Sequence, residues 1–131
     1  MNQVNPDILC LQETKVMDGS FPIEPFEKLG YSAEFYGQKS YNGVAIISKI
    51  KAKNVKKGFY GCTDSEPNID IFQDQKRLIS AEINGIKIIN VYVPNGSSLE
   101  SDKFEYKINW LSCLASFLDD QEKKGELICL M

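Results

Sequence analysis

Four short stretches carry side chains that could do chemistry. In PDILCLQETK, residues Pro6 to Lys15, an apolar run from Ile8 to Leu11 passes directly into Gln12, Glu13, Thr14 and Lys15, with no glycine or proline between. A carboxylate just past the carboxyl end of a buried strand stands where open α/β sheets place their ligands. A hard oxygen donor at that place suits Mg2+ or Mn2+. One carboxylate does not build a magnesium site unaided, and a solvated loop residue is the plainer alternative. In NVYVPNG, Asn90 to Gly96, a strand runs to Val93 and breaks at Pro94, with Tyr92 and Pro94 on one side and Val91 and Val93 on the other. The Tyr92 phenol can donate to a phosphate oxygen, or serve as acid or nucleophile if a cation lowers its pKa. Asn95 can donate from its amide without adding charge. A half-buried aromatic and a turn residue would look the same.

In QKRLISAEI, Gln75 to Ile83, Arg77 directly precedes a strand. A guanidinium there can grip a phosphate with two parallel hydrogen bonds, or simply form a surface ion pair. In GQKSYNGVAIIS, Gly37 to Ser48, the residues Lys39, Tyr41 and Asn42 lie on a loop before an apolar strand. Such a loop suits nucleic-acid backbone contact, or is a plain surface turn.

These residues need elements to hold them. Ile8–Leu11 reads as a buried strand. The segment Phe21–Gly30 starts with a proline-rich turn and predicts a short helix over Glu24–Leu29, stopped by Gly30. Tyr31–Tyr36 reads as a strand, Gly37–Asn42 as a polar loop, and Val44–Ser48, β-branched and apolar, as a central strand. Lys51–Phe59 predicts a more exposed strand and Gly61–Gln75 a loop. Leu78–Ile83 and Lys87–Val93 are strands joined at Asn84-Gly85, a strong hairpin signal. Ser101 or Asp102 can cap a helix whose apolar face is Phe104, Ile108, Leu111, Ala115 and Leu118. ELICLM, Glu126 to Met131, is a last buried strand. The pattern is a mixed α/β chain of class α+β: a layered β-sandwich flanked by helices.

The chain has 131 residues, one domain's worth. No apolar run approaches the roughly 18–20 residues of a membrane span, and the start has no secretory pattern. A cytoplasmic location is the expectation. With no histidine and four cysteines, Cys10, Cys62, Cys113 and Cys129, none at C-x-x-C spacing, a structural zinc site is not expected. Reduced, mostly buried thiols are. The net charge of −3 argues mildly against a nucleic-acid binder. A local basic patch exists, however: KIKAKNVKK, Lys49 to Lys57, holds five lysines and no acid. Lys49, Lys51 and Lys53 would share one strand face. A lysine-protected edge strand is preferred over a phosphate-tracking face.

Each signal alone is weak, but their order is specific. LQETK, then GQK-x-x-NGVAIIS, QKRLI-x-AEI, IINVYVPNG and K-x-x-x-K-x-x-WL resemble the exodeoxyribonuclease III family over essentially the whole chain. These are Mg2+-dependent abasic-site endonucleases and 3′-to-5′ exonucleases of base-excision repair, within the endonuclease/exonuclease/phosphatase superfamily, and have a DNase I-like fold. The resemblance implies that Glu13 binds the metal and that Tyr92 is the active-site tyrosine. It places Asn95 beside the scissile phosphate, Arg77 on a backbone phosphate, and Tyr41 and Asn42 in a loop laid against DNA. It implies Mg2+ or Mn2+ as cofactor and double-stranded DNA with abasic sites or 3′ ends as partner, with a monomeric full-length parent and no membrane.

The departures from that pattern carry their own expectations. The family has an earlier strand ending in a metal-supporting asparagine. It also has a glycine-aspartate-phenylalanine-asparagine motif after the last strand, then a further aspartate and a histidine. None of these stands in this sequence. Residues 1–131 are therefore expected to form the central portion of a single domain, lacking its first strand and carboxyl-terminal part. One face of each sheet would be bare, giving weak folding or self-association. The competing readings are a truncated, non-catalytic chain with weak DNA binding, and a phosphatase branch of the superfamily. In-line attack on a phosphodiester needs an activated water and leaving-group stabilisation as well as a metal carboxylate. The expected outcome is little or no turnover from this chain alone, checked by a nicking assay on abasic duplex DNA with Mg2+.

Overall fold

The computed structural model describes residues 4–60, 69–125 and 127–131. Seven strands form two sheets. In the first, β1 (Ile8–Gln12) and β2 (Ser32–Tyr36) pair antiparallel on either side of β3 (Val44–Ser48). In the second, β4 (Lys53–Lys57), β5 (Leu78–Ile83) and β6 (Ile86–Val91) are antiparallel, and β7 (Leu127–Leu130) joins β6 in parallel. Short helices α1 (Glu24–Glu27) and α2 (Ile69–Asp74) and the long α3 (Asp102–Glu122) complete the chain. The layered, helix-flanked sandwich agrees with the sequence pattern.

The two-residue side-chain period of strands explains the layering. On β3, Val44 and Ile46 face the second sheet and meet Ile79, Ala81, Ile83 and Ile88. Ala45 and Ile47 face the other way, onto Tyr31, Phe21, Phe26 and Phe35. Every residue of β3 is therefore buried, as expected of a central strand. On the second sheet Leu78 and Ile89 turn outward and are covered by Phe59, Phe72, Trp110 and Phe117. The hairpin between β5 and β6 closes with Asn84 and Gly85 at φ +52° and +79°, the left-handed pair that a tight hairpin requires.

Several expectations are corrected. The sheets are covered on both faces, so no bare face exists among the described residues. Exposed apolar side chains are instead scattered, from Val4 and Leu99 to Leu127 and Leu130 on the edge strand β7. β7 is thus not a buried strand, and β1, also an edge, is only half-buried along Ile8–Leu11. The lysine strand begins later than expected. Lys49 and Lys51 precede it, and Lys49 Nζ bonds Asp7 Oδ1 and Asn5 O, each at 3.0 Å. The ladder to β5 breaks between Lys53 and Lys56, around Asn54 at φ +48°, so the lysines do not alternate on one face. β4 is an exposed edge strand all the same. Part of Gly61–Gln75 is the helix α2, not loop. Residues 61–68, with Cys62, lie outside the described residues. Cys113 is buried, and Cys10 and Cys129 are half-buried.

Ser101 caps α3, its hydroxyl accepting from Phe104 N at 3.2 Å. The face that α3 buries is rotated from the expected one. It runs through Trp110, Cys113, Leu114, Phe117 and Gln121, while Ile108 and Ala115 stay exposed. The largest rings decide the rotation: Trp110 and Phe117 both meet Phe59 edge-on, at 5.5 and 5.8 Å between centroids. Phe117→Ala is expected to destabilise the fold by about 3–5 kcal/mol, read from denaturant unfolding. Ile108→Ala should cost less than about 1 kcal/mol.

Candidate active site

The site is built where both sheets end. Past Gln12 the chain leaves β1 through Glu13 and Lys15, both left-handed at φ +54° and +56°. Two backbone bonds hold this turn against the start of β3: Thr14 N donates to Gly43 O at 3.2 Å, and Lys15 N to Asn42 O at 2.9 Å. Gly43 cannot be replaced cheaply, because its φ is +93° and a Cβ would strike the Thr14 hydroxyl. Gly43 N in turn donates to Lys76 O at 3.1 Å, which brings in the residue before Arg77.

From the second sheet, Arg77 and Tyr92 extend the β5–β6 pairing beyond the strands. Tyr92 N donates to Arg77 O at 2.8 Å, and Arg77 Nη1 donates to Tyr92 O at 3.2 Å. Arg77 Nε also donates to Gln75 Oε1 at 2.8 Å. The guanidinium then lies over the Tyr92 ring, 4.7 Å from its centroid. The Glu13 carboxylate pairs with Lys15 Nζ at 3.0 Å, and the Tyr92 hydroxyl stands near enough to be electrostatically coupled to it. The electrostatics follow from these contacts. Lys15 first, then the Tyr92 hydroxyl, hold the Glu13 carboxyl below the usual carboxylate range. The neighbouring Glu13 carboxylate, with burial, raises the Tyr92 phenol, against the pull of Arg77. The phenol is thus kept protonated and the carboxylate ionised. The lowered phenol considered from sequence is the reverse of what this arrangement produces, because the Glu13 anion outweighs the Arg77 cation there.

Arg77 and Tyr92 line a cleft of about 470 Å3 with Asn95, Asp102, Lys103 and Tyr106. Asn95 Oδ1 accepts from Ser97 N at 3.1 Å, which leaves its NH2 as a donor. Among the described residues the Tyr106 hydroxyl is buried without a hydrogen-bond partner, and burial raises its pKa. Of the six residues singled out in the sequence, Arg77 and Tyr92 are in contact, Glu13 is electrostatically coupled to both, and Asn95 lines the cleft of Arg77 and Tyr92. Tyr41 is 70% exposed, and Asn42 contributes its carbonyl to the Glu13–Lys15 turn. Tyr92 and Pro94 do not continue a strand, since β6 ends at Val91.

Residues that local spacing did not single out are Lys15, Lys103, Tyr106 and above all Asn90. Asn90 is fully buried, and a lone amide inside an apolar strand is a signal that it must find partners. Its NH2 donates to Leu11 O and to Ala45 O, each at 2.9 Å, and its Oδ1 accepts from Gln12 Nε2 at 2.6 Å. As to a metal, Glu13 is an ionised, half-exposed oxygen donor of the hard kind that Mg2+ takes, often one or two carboxylates with water and substrate phosphate. Among the described residues no group of three or more His, Cys, Asp or Glu side chains could hold a metal ion.

Residues 1–98 match the family model described as the Endonuclease/Exonuclease/phosphatase family. Exodeoxyribonuclease III of Haemophilus influenzae is 35% identical over 100% of this chain and 48% of its own length. An AP endonuclease from Archaeoglobus fulgidus superposes with a TM-score of 0.79 at 44% identity, over 91% of this chain and 43% of that one. The 3′ phosphatase NExo from Neisseria, in a structure bound to a product DNA hairpin, superposes with a TM-score of 0.81 at 37% identity, over 95% and 46%. The chain thus spans about half the length of these relatives.

Two titrations follow from the contacts. A raised phenol contributes stability that is complete below the ordinary value near pH ~10 and is lost as pH rises through Tyr92's own value. Tyr92→Phe should remove that alkaline limb from the stability–pH curve. A lowered carboxyl contributes stability present above the ordinary range and lost as pH falls through Glu13's value. Lys15→Met should raise the Glu13 midpoint more than Tyr92→Phe does, read by carboxyl 13C NMR.

Proposed function

The chain belongs to the endonuclease/exonuclease/phosphatase family, and from that premise we propose that it carries one part of a divalent-metal-dependent DNA phosphodiesterase site of the exodeoxyribonuclease III kind. The observation that carries the reading is one contact set. A carboxylate, Glu13, paired with Lys15 and electrostatically coupled to the Tyr92 phenol, stands with that phenol and the Arg77 guanidinium stacked on its ring beside an open cleft. The substrate is double-stranded DNA with abasic sites or 3′ ends, the compartment is cytoplasmic, and residues 1–131 are the central portion of one catalytic domain.

Each residue has a role set by its chemistry. Arg77 and the Asn95 amide bind phosphate oxygens, the first with charge and the second without. The Tyr92 phenol, held protonated, donates to a phosphate oxygen when it releases Glu13. Tyr41 and Asn42 lie along the DNA backbone beside the Glu13 turn. Glu13 holds Mg2+ or Mn2+, and the bound ion supplies neutralisation of phosphate charge. A second reading has one observation in its favour: a single carboxylate, with no three-ligand group among the described residues, fits a chain that binds DNA without cutting it.

The test is binding and turnover on a fluorescent duplex with one abasic site. Arg77→Ala should weaken binding about tenfold and reduce the salt slope by about one. Equal binding by wild type and Arg77→Ala would sink the phosphate role. Turnover that Tyr92→Phe abolishes selects the catalytic reading. Arg77-dependent binding with no turnover selects the second.

A further inference from the structure

Glu13 and Tyr92 lie on different sheets, so their contact depends on how the sheets are held against each other at this one end. Apolar contacts between sheets do not fix that relation alone, because they are non-directional. Asn90 supplies direction. It stands two residues before Tyr92 on β6, pairs with Ile79 of β5, and is buried to 0% exposure. Leu11 and Ala45, whose carbonyls take its two N–H groups, are paired neighbours in the β1–β3 ladder. Its carbonyl takes the Gln12 amide, and Gln12 is the residue before Glu13. One side chain thus joins the last two residues of β1 to the strand that leads into Tyr92. Both its donors and its acceptor are used, so rotating or sliding β1 by one residue would leave buried polar groups without partners.

We propose that Asn90 is a positioning residue: its three hydrogen bonds across the sheet interface, completed by Gln12, hold the Glu13 carboxylate opposite the Tyr92 hydroxyl. The proposal rests on the reading of Glu13 and Tyr92 as the working pair. It adds a residue that touches neither substrate nor metal. A purely structural asparagine would lower stability when removed and leave the pair as it was. A positioning asparagine changes the pair itself.

The experiment uses the full 131-residue chain with 13Cζ-labelled tyrosine, the Tyr92 resonance being assigned through Tyr92→Phe. Glu13→Ala defines the full displacement of that resonance when the contact is lost. Asn90→Ala is expected to move it at least half as far. Gln12→Ala, at an exposed strand end where the fold tolerates change, should move it in the same direction. Ile79→Val, the fully buried cross-strand neighbour, should lower Tm and leave the resonance in place. If Asn90→Ala does not fold, Gln12→Ala decides. A resonance unmoved by Gln12→Ala and Asn90→Ala, or moved equally by Ile79→Val, overturns the proposal. Mn2+ binding followed by electron paramagnetic resonance separates the two readings. Binding indifferent to Glu13→Ala would defeat the metal role of Glu13, while the tyrosine resonance, which needs no metal, still decides Asn90.

Discussion

A single buried amide ties the two sheets together where the chemistry lies. Asn90 has no solvent contact, and each of its polar groups is bonded to the opposite sheet or to Gln12. A buried polar group costs free energy unless it is bonded, so only a narrow set of sheet arrangements satisfies it. The apolar layer around it, from Val44 and Ile46 to Ile79 and Ile88, supplies attraction. The amide supplies register. Everything downstream, including which strand ends share a cleft, depends on that alignment.

The ends that come together are held in conformations that ordinary strands avoid. Glu13, Lys15, Asn42 and Lys76 all have left-handed backbones, and Gly43 makes the crossing possible. Such geometry costs free energy at each non-glycine residue and persists where neighbouring bonds over-determine it. Here the bonds are visible: Thr14 and Lys15 to Gly43 and Asn42, and Gly43 to Lys76. The carboxylate is thereby presented outward from a strand end, where it is half exposed, instead of folding back on the sheet.

The site carries more positive than negative side chains, Lys15, Arg77 and Lys103 against Glu13 and Asp102. Glu13 is surrounded by donors, Lys15 and the Tyr92 phenol, with Arg77 stacked beyond the ring. An anionic phosphate entering the cleft would meet Arg77, Lys103 and two phenols. A cation reaching Glu13 would displace Lys15.

Much was legible from short-range pattern. The β-branched run VAIIS marked the central strand, Asn84-Gly85 the hairpin, Ser101 the helix start, and LQETK and YVPNG the strand ends where Glu13, Tyr92 and Asn95 now stand. These signals are local: steric preference, turn chemistry and capping act within a few residues. What stayed hidden is relational. The helix face of α3 was set by how Trp110 and Phe117 fit Phe59, more than 50 positions of chain before them, not by the spacing of its aliphatic residues. The expected alternation of Lys49, Lys51 and Lys53 fails because the strand starts only at Lys53. The direction of the Tyr92 shift required knowing that Glu13, at the end of a strand of the other sheet, outweighs Arg77. The sequence by itself determined which residues could do chemistry and which elements end beside them. Only the tertiary structure decided which of those ends meet, because a hydrogen bond such as Gln12 to Asn90, 78 residues apart, leaves no local trace in the chain.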